Sequence, residues 1–327
     1  MSKVSYGVSL VEVTQDRAGQ RLDNFIAAKL KGLPRSVIYR IIRKGQVRVN
    51  GGRAKPATRL ETGDIVRVPP AKIREMGSEN IPPPVIPLIE QSICYEDHGV
   101  MVINKPSGMA VHGGSGLAWG VVDVVRKMRP GMNVDLVHRL DRATSGCLLL
   151  ALTGDALRDL NMQINNNQVE KRYLCLLDGK LKQELVQVNE PIGQFERSGQ
   201  KFMRVDPEGK PAHTTFRLLQ NYADYSFAQA QLHTGRTHQI RVHAAHLGLP
   251  LAADDRYSSR GRQRFWKKQG LKRLFLHANQ ISFYTADGEQ PVSYTHLRAH
   301  ETSSMISYSV FCLKKKGGGG GGGGGGG

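Results

Sequence analysis

Leu136-Val137-His138-Arg139-Leu140-Asp141-Arg142-Ala143-Thr144-Ser145-Gly146 runs directly into Cys147-Leu148-Leu149-Leu150. The first part is polar and ends in glycine, as a turn would. The second is a short apolar run, as a buried strand would be. A carboxylate, Asp141, therefore sits between Arg139 and Arg142 where the chain enters a core strand. Positive neighbours favour the charged form of a carboxylate, so Asp141 is expected to be an anion able to act as a nucleophile. The same pattern also suits a structural aspartate that caps the turn or pairs with an arginine, and the pattern alone leaves both open.

Around this stretch the chain alternates irregularly between strand and helix signals. Ile93 to Tyr95 and Val100 to Asn104 read as strands around the turn Glu96-Asp97-His98-Gly99. Val121 to Met128 and Ala156 to Asn165 read as helices. Cys147 to Leu152, Arg172 to Leu177, Phe216 to Gln220, Tyr225 to Leu232 and Leu274 to Phe283 read as strands. Mixed rather than strictly alternating elements predict an α+β domain with a largely antiparallel sheet over residues 91–291.

Upstream lies a smaller unit, residues 17–70. Leu22, Phe25, Ile26 and Leu30 recur at helical spacing over 21–31. A second helix fits Ser36 to Lys44, with Val37, Ile38, Ile41 and Ile42 inward and Arg35, Arg40, Arg43 and Lys44 on another face. Val47 to Asn50 and Ile65 to Val68 read as strands. This small αβ order, closing in VRVNGGRAKPATRLETGDIVRVPP, resembles the S4 RNA-binding domain. The resemblance implies that Arg35, Arg40, Arg43 and Lys44 meet RNA. Pro82-Pro83-Pro84 and Pro87 predict a stiff, extended linker over residues 71–90.

The chain has 327 residues and a net charge of +18. That length suffices for two domains, and the charge favours a polyanionic partner, nucleic acid or an anionic membrane surface. No apolar run approaches the ~18 residues of a spanning helix, and the N-terminus lacks a signal-peptide layout. Cys94, Cys147, Cys175 and Cys312 form no CxxC pair, and the first three lie in apolar runs, so buried free thiols are expected. Residues 292–327 break the preceding pattern. Ser293 to Thr302 resembles a translated sequencing adaptor, and residues 317 to 327 are all glycine. This tail is expected to lie outside the native fold, which would leave the sheet with an uncovered edge. Setting it aside leaves the body strongly basic.

The Asp141 stretch matches the HRLDxxTSG motif of the RluA-type pseudouridine synthases. Asn104 to Gly108 and Val111-His112 match the family's preceding segment. Lys171-Arg172-Tyr173 matches its KxY motif, and Gly235 to His243 its third block. Asp254-Asp255-Arg256-Tyr257 falls where the family has a D-x-x-Y-like turn, and Arg273 to Ala278 matches a late strand. The chain is identified on these ordered blocks as resembling that family, most closely its large-subunit ribosomal members. The resemblance implies that Asp141 attacks the uridine or its detached glycal sugar. Tyr173 would stack on the uracil and help remove the C5 proton. Arg241 would pair with Asp141, Arg139 would enter the space left by the flipped base, and His112 would contact RNA. It implies no cofactor and no metal, 23S ribosomal RNA as partner (free or in pre-50S particles), a monomer, and a cytoplasmic location.

The target base must leave its stack before C5 can reach C1′, which costs a few kcal/mol. Unstacked loops are cheaper targets than A-form duplex. The remaining features are weaker. His233, His238, His243 and His246 lack metal-ligand spacing. Gly113 to Gly116 suits a mobile loop better than a phosphate cradle. Arg260, Arg262, Arg264, Lys267, Lys268, Lys272 and Arg273 form a basic run, either a solvated face or an RNA contact. Other readings are a non-catalytic RNA-binding or ribosome-assembly factor, and a hydrolase, which lacks a supporting motif.

Overall fold

The computed structural model describes residues 3–30, 33, 35–74, 81–113, 117–197, 199–285 and 291–295. They belong to two compact units, residues 1–81 with 113–119 and residues 82–112 with 120–327.

The first unit contains β1 (Lys3–Tyr6), β2 (Ser9–Glu12), α1 (Leu22–Lys29), α2 (Arg35–Arg43), β3 (Arg48–Val49), β4 (Gly52–Arg53), β5 (Ile65–Val68) and β6 (Ala71–Arg74). A four-stranded sheet runs β2-β5-β3-β4, and β1 pairs separately with β6. Leu22, Phe25, Ile26 and Leu30 bury the apolar stripe of the first helix against Ile38, Ile42, Val47, Val66 and Val68. Asn50 and Gly51 adopt φ of 49° and 77°, the primed-turn geometry that an Asn-Gly pair supplies between short strands. Arg40, Arg43 and Lys44 are exposed. The side chain of Arg35 lies outside the described residues.

The extended linker expected over 71–90 is not extended throughout. β6 occupies its start, and α3 (Val85–Gln91) occupies its end. Pro84 caps this helix, and Pro87 falls in its first turn. Backbone N–H groups there have no helical acceptor, so proline costs the helix nothing.

The second unit continues with β7 (Ile93–Asp97), β8 (Val100–Lys105), α4 (Val121–Met128), β9 (Asp135–Leu136), β10 (Ser145–Ala151), α5 (Gly154–Asn165), β11 (Glu170–Leu177), β12 (Leu185–Val188), β13 (Ile192–Arg197), β14 (Gln200–Val205), β15 (Thr214–Asn221), β16 (Ser226–Leu232), α6 (Gln239–His246), α7 (Arg260–Lys268), β17 (Leu276–Tyr284) and β18 (Pro291–Thr295). Its main sheet runs β12-β15-β16-β11-β17-β10-β8-β7, with β9 added on β10 and β18 on β17. The pairings are antiparallel except β10 with β17, which is parallel at Ser145–His277 and Gly146–Ala278. The fold is α+β around a largely antiparallel sheet. β10 is buried along its whole length, as its apolar run requires.

Gly146 explains why the motif ends in glycine. Its φ is +108°, and a Cβ there would lie 2.2 Å from the carbonyl oxygen of Ala278. Only glycine permits that approach.

The boundary expected at residue 291 is not an edge of the sheet. Pro291–Thr295 pairs antiparallel with Gln280–Tyr284, and the Tyr294 hydroxyl donates to the Cys94 carbonyl. The alternating run Val292-Ser293-Tyr294 is competent to pair whatever its origin. Residues 296 to 327, with Cys312, lie outside the described residues.

Candidate active site

Asp141 begins a tight turn closed by Thr144 N donating to the Asp141 carbonyl at 3.1 Å. The turn is held from a neighbouring loop at the end of β8. Gly108 N donates to the Arg142 carbonyl at 2.8 Å. Arg142 Nε donates back to the Gly108 carbonyl at 2.8 Å, and Ser107 Oγ donates to the Ala143 carbonyl at 2.7 Å. Arg142 is thereby spent on the backbone. His138, just before the turn, is locked from behind: its Nε2 accepts from Leu149 N at 3.1 Å. Burial, then the charge of Lys171, pushes this imidazole down to about 3, so it is neutral.

Beneath the turn lies Lys105, whose side chain is fully buried. Its Nζ donates to the carbonyls of Pro106 at 2.8 Å, Met109 at 2.9 Å and Arg142 at 3.3 Å. Burial brings its ammonium down to about 8, opposed by the Asp141 carboxylate and assisted by Arg273. A buried cation thus stands behind the Asp141 turn and welds it to the 106–109 loop. The carboxylate of Asp141 itself accepts no hydrogen bond from any described residue. Its side chain retains 27% exposure, and His238 Nε2 stands 3.9 Å from it.

Tyr173 arrives from β11. It pairs with Ala230 of β16 and with Ala278 of β17, the same Ala278 that faces Gly146. Gly146, Ala278, Tyr173 and Ala230 therefore form one rung across the sheet, which sets the tyrosine beside the Asp141 turn. A bulge between Arg172 and Tyr173 on the β17 side shifts the strand there, a device that re-aims side chains. Tyr173 is 5% exposed. Burial first, then the charge of Asp141, raises its phenol far above the ordinary tyrosine range, so it is neutral at rest.

The third component is α6. Its N-cap, His238, adopts left-handed backbone with φ 56° and ψ 21°. Gln239 fixes the preceding loop. Its Nε2 donates to the His213 carbonyl and Thr214 Oγ1, both at 2.9 Å, and its Oε1 accepts from Thr234 Oγ1 at 2.7 Å and Arg236 N at 3.0 Å. Arg241, 3% exposed, donates from Nε and Nη2 to Asp254 at 2.8 and 2.7 Å and from Nη2 to Asp255 at 2.8 Å. The direct pairing expected between Arg241 and Asp141 is absent here. Nε and Nη2 are taken by Asp254 and Asp255, and Arg241 acts on Asp141 through its charge. Burial would lower the guanidinium, but the Asp254 bonds and the charges of Asp254, Asp141 and Asp255 raise it and keep it charged.

Tyr257 completes the arrangement. Arg241 lies over its ring at 5.2 Å, and its hydroxyl meets His238 Nδ1 at 2.8 Å. Burial raises the Tyr257 phenol to about 12, so it keeps its proton and donates to Nδ1. On this pairing the other nitrogen, Nε2, carries hydrogen and faces Asp141. Burial lowers His238 against the opposing pull of Asp141.

Asp141, Tyr173 and Arg241 line one open cleft with Arg139, Arg236, His238, Leu232 and Leu276. Arg139 is exposed at the mouth. His112 is also exposed and feels the charge of Arg139, which adds to burial in lowering its imidazole. Residues 114 to 116 of the glycine loop lie outside the described residues. Among the described residues, no cluster of His, Cys, Asp and Glu is placed to hold a metal. No helix among them is long and apolar enough to cross a membrane.

Lys105, His238, Gln239, Asp254 and Tyr257 received no role from the sequence. Their signal was a place inside the motif blocks; what each holds depends on chain crossings that spacing does not reveal. What results is a carboxyl group without hydrogen-bond partners among the described residues, a neutral phenol, a fixed guanidinium, and apolar walls at Leu232 and Leu276. Such a cleft suits a flat, polar ring attached to an electrophilic carbon.

The RNA pseudouridylate synthase family model matches residues 99–246, and the S4 domain model matches residues 20–66. The ribosomal large subunit pseudouridine synthase C of Vibrio cholerae is 43% identical over 306 residues, covering 92% of this chain and 96% of that protein. The chain belongs to the RNA pseudouridylate synthases. The Escherichia coli synthase of the same name is 46% identical over 282 residues, covering 84% of this chain and 88% of its own. Among solved structures, human RNA pseudouridylate synthase domain containing 1 aligns with a TM-score of 0.55 at 26% identity, over 68% of this chain and 86% of its own. The cleft of this pseudouridine synthase lies between β10, β11 and α6, and Asp141, Tyr173 and Arg241 fall within the matched span.

Proposed function

We propose that the protein converts specific uridines of large-subunit (23S) ribosomal RNA to pseudouridine, acting as a cytoplasmic monomer on free RNA or pre-50S particles. The reaction exchanges the C1′–N1 bond for a C1′–C5 bond. The C5 proton leaves, and N1 gains one. It is redox-neutral and isomeric, so its balance calls for no cofactor.

Asp141 is the nucleophile on the ribosyl side. Tyr173 stacks on the flipped uracil and helps remove the C5 proton: its neutral phenol passes its own O–H proton to solvent as its oxygen takes the proton from C5, and solvent returns a proton to N1. Part of the shift on its phenol comes from the Asp141 charge. A carboxylate consumed in a bond to the sugar no longer exerts that charge, so the Tyr173 phenol gives up its own proton more easily when it is needed. Arg241 supplies fixed positive potential toward both groups. Arg139 occupies the space left by the base, and His112 contacts the strand nearby. The S4-like module over residues 17–70 holds RNA through Arg35, Arg40, Arg43 and Lys44, while residues 91–291 carry the chemistry.

The observation that supports this best is the Asp141 carboxylate, unsolvated by protein donors, in one cleft with Tyr173 and Arg241. The test is incubation of unmodified 23S transcript with the protein, followed by chemical mapping of pseudouridine. Discrete new sites, lost with Asp141→Ala, are expected. A transcript without new sites, alone or in precursor particles, overturns the proposal.

A further inference from the structure

The mechanism leaves α7 unused. This helix reads Arg-Gly-Arg-Gln-Arg-Phe-Trp-Lys-Lys and contains no acidic residue. At 3.6 residues per turn, Arg260, Arg264, Lys267 and Lys268 fall on one stripe, and Arg262 and Trp266 on the other side. The inner side is structural. Trp266 is fully buried. Arg262 Nε donates to Asp178 at 2.8 Å, and its guanidinium stacks 4.2 Å from the Phe265 ring centre.

Three residues of the outer side have no such employment. Arg260, Arg264 and Lys267 are exposed and make no ion pair with any described residue. Cations aligned this closely repel one another, and without carboxylate partners they do not help the fold. Packing does not explain the stripe, whereas attraction of a polyanion does.

Its position is informative. Gln263, on the same helix, donates to the Ser258 carbonyl at 2.8 Å. The turn just before it carries Asp255, which accepts from Arg241 in the cleft at 2.8 Å. Beyond the helix, Arg273 Nη1 donates to Ser145 Oγ at 3.2 Å, behind the Asp141 turn. The turn that leads into α7 is thus bonded to the cleft through Asp255 and Arg241, and the segment that follows the helix is bonded behind the Asp141 turn through Arg273 and Ser145. From Arg260 to Lys267 the stripe rises about 10 Å, enough to span more than one phosphate of a nucleic-acid strand.

We propose that the outer stripe of α7 is a second RNA contact, gripping the phosphate backbone of the strand that flanks the target uridine outside the cleft. This rests on the functional reading above and adds to it a surface that selects for longer RNA. Contacts of this kind are read in salt dependence, because each neutralised phosphate releases counterions.

The test compares wild type with the triple variant Arg260→Gln, Arg264→Gln, Lys267→Gln, its fold checked by circular dichroism. The slope of log affinity against log salt for a long rRNA fragment should fall by about 2 to 3. KM for that fragment should rise while kcat holds. An active wild type whose slope and KM are unmoved by the triple change removes the α7 contact and leaves the enzymatic reading standing. A wild type that binds RNA but isomerises nothing, with the slope still falling in the variant, removes the enzymatic reading and leaves the contact. Weakened binding to phosphatidylserine vesicles with RNA affinity unchanged would also overturn it.

Discussion

Arg241 and Asp254 face each other through parallel N–H···O bonds of 2.8 and 2.7 Å, with Arg241 3% exposed and Asp254 fully buried. Removing one charge strands the other. Asp254→Asn is expected to lower stability by about 3 kcal/mol or more, read as a shift in the urea midpoint. Replacing both residues by apolar ones should cost less than that single change.

The same pair makes stability depend on acid. Burial would raise the Asp254 carboxyl, but the Arg241 bonds and charge, with backbone donors at Arg256 and Tyr257, hold it below its ordinary value. A depressed carboxylate contributes stability that is present above the unfolded pKa of about 4 and lost as pH falls through the folded value. Urea midpoints should fall below pH 4 in wild type, and more shallowly in Asp254→Asn.

Asp141→Asn should reduce kcat by at least about 10³-fold while changing stability by no more than about 0.5 kcal/mol. The carboxylate accepts no hydrogen bond from a described residue, so the fold does not depend on it. A variant that loses both activity and stability would return Asp141 to the structural role that its sequence context also permitted.

Lys105 should impose a basic limb on activity. Its ammonium, lowered to about 8 by burial against the opposing Asp141 charge, is charged below that pH and neutral above it. As pH rises through 8 the turn loses its buried cation and one N–H donor, so kcat/KM should decline. Lys105→Met should show a lower plateau without that limb. A wild-type profile that stays flat to pH 10 would contradict it.

Tyr173→Phe keeps the ring and removes the hydroxyl through which the C5 proton is relayed. A loss of about 10² to 10⁴ in kcat is expected, with KM for RNA changed only a few-fold. A large KM change with kcat intact would mean the hydroxyl serves binding alone.

The sequence made some elements legible and hid others for identifiable reasons. β10 was readable because Cys147 to Leu150 is apolar throughout, and α4 because Val121, Val122, Val124 and Val125 keep a helical stripe. α6 was missed. Gln239, Ile240, Arg241, Val242, His243 and Ala244 are all buried, so the helix has no polar face and no amphipathic period to detect. The proline run before α3 read as a spacer because composition does not say which prolines fall in a first turn. At the candidate site, Asp141, Tyr173 and Arg241 were singled out by resemblance to motif blocks, and they line one cleft. The partners of Arg241 were not, because the Asp254 turn competes for its nitrogens in a way that only three-dimensional placement settles.

The bonds joining residues 105–108 to the Asp141 turn make the placement of Asp141 a property of two segments more than thirty positions apart. For anyone building a chimera between synthases, the HRLDR segment is therefore not a transplantable cassette. It will take up its geometry only when moved together with the lysine-bearing loop on which it rests, and crossover points are better placed outside both.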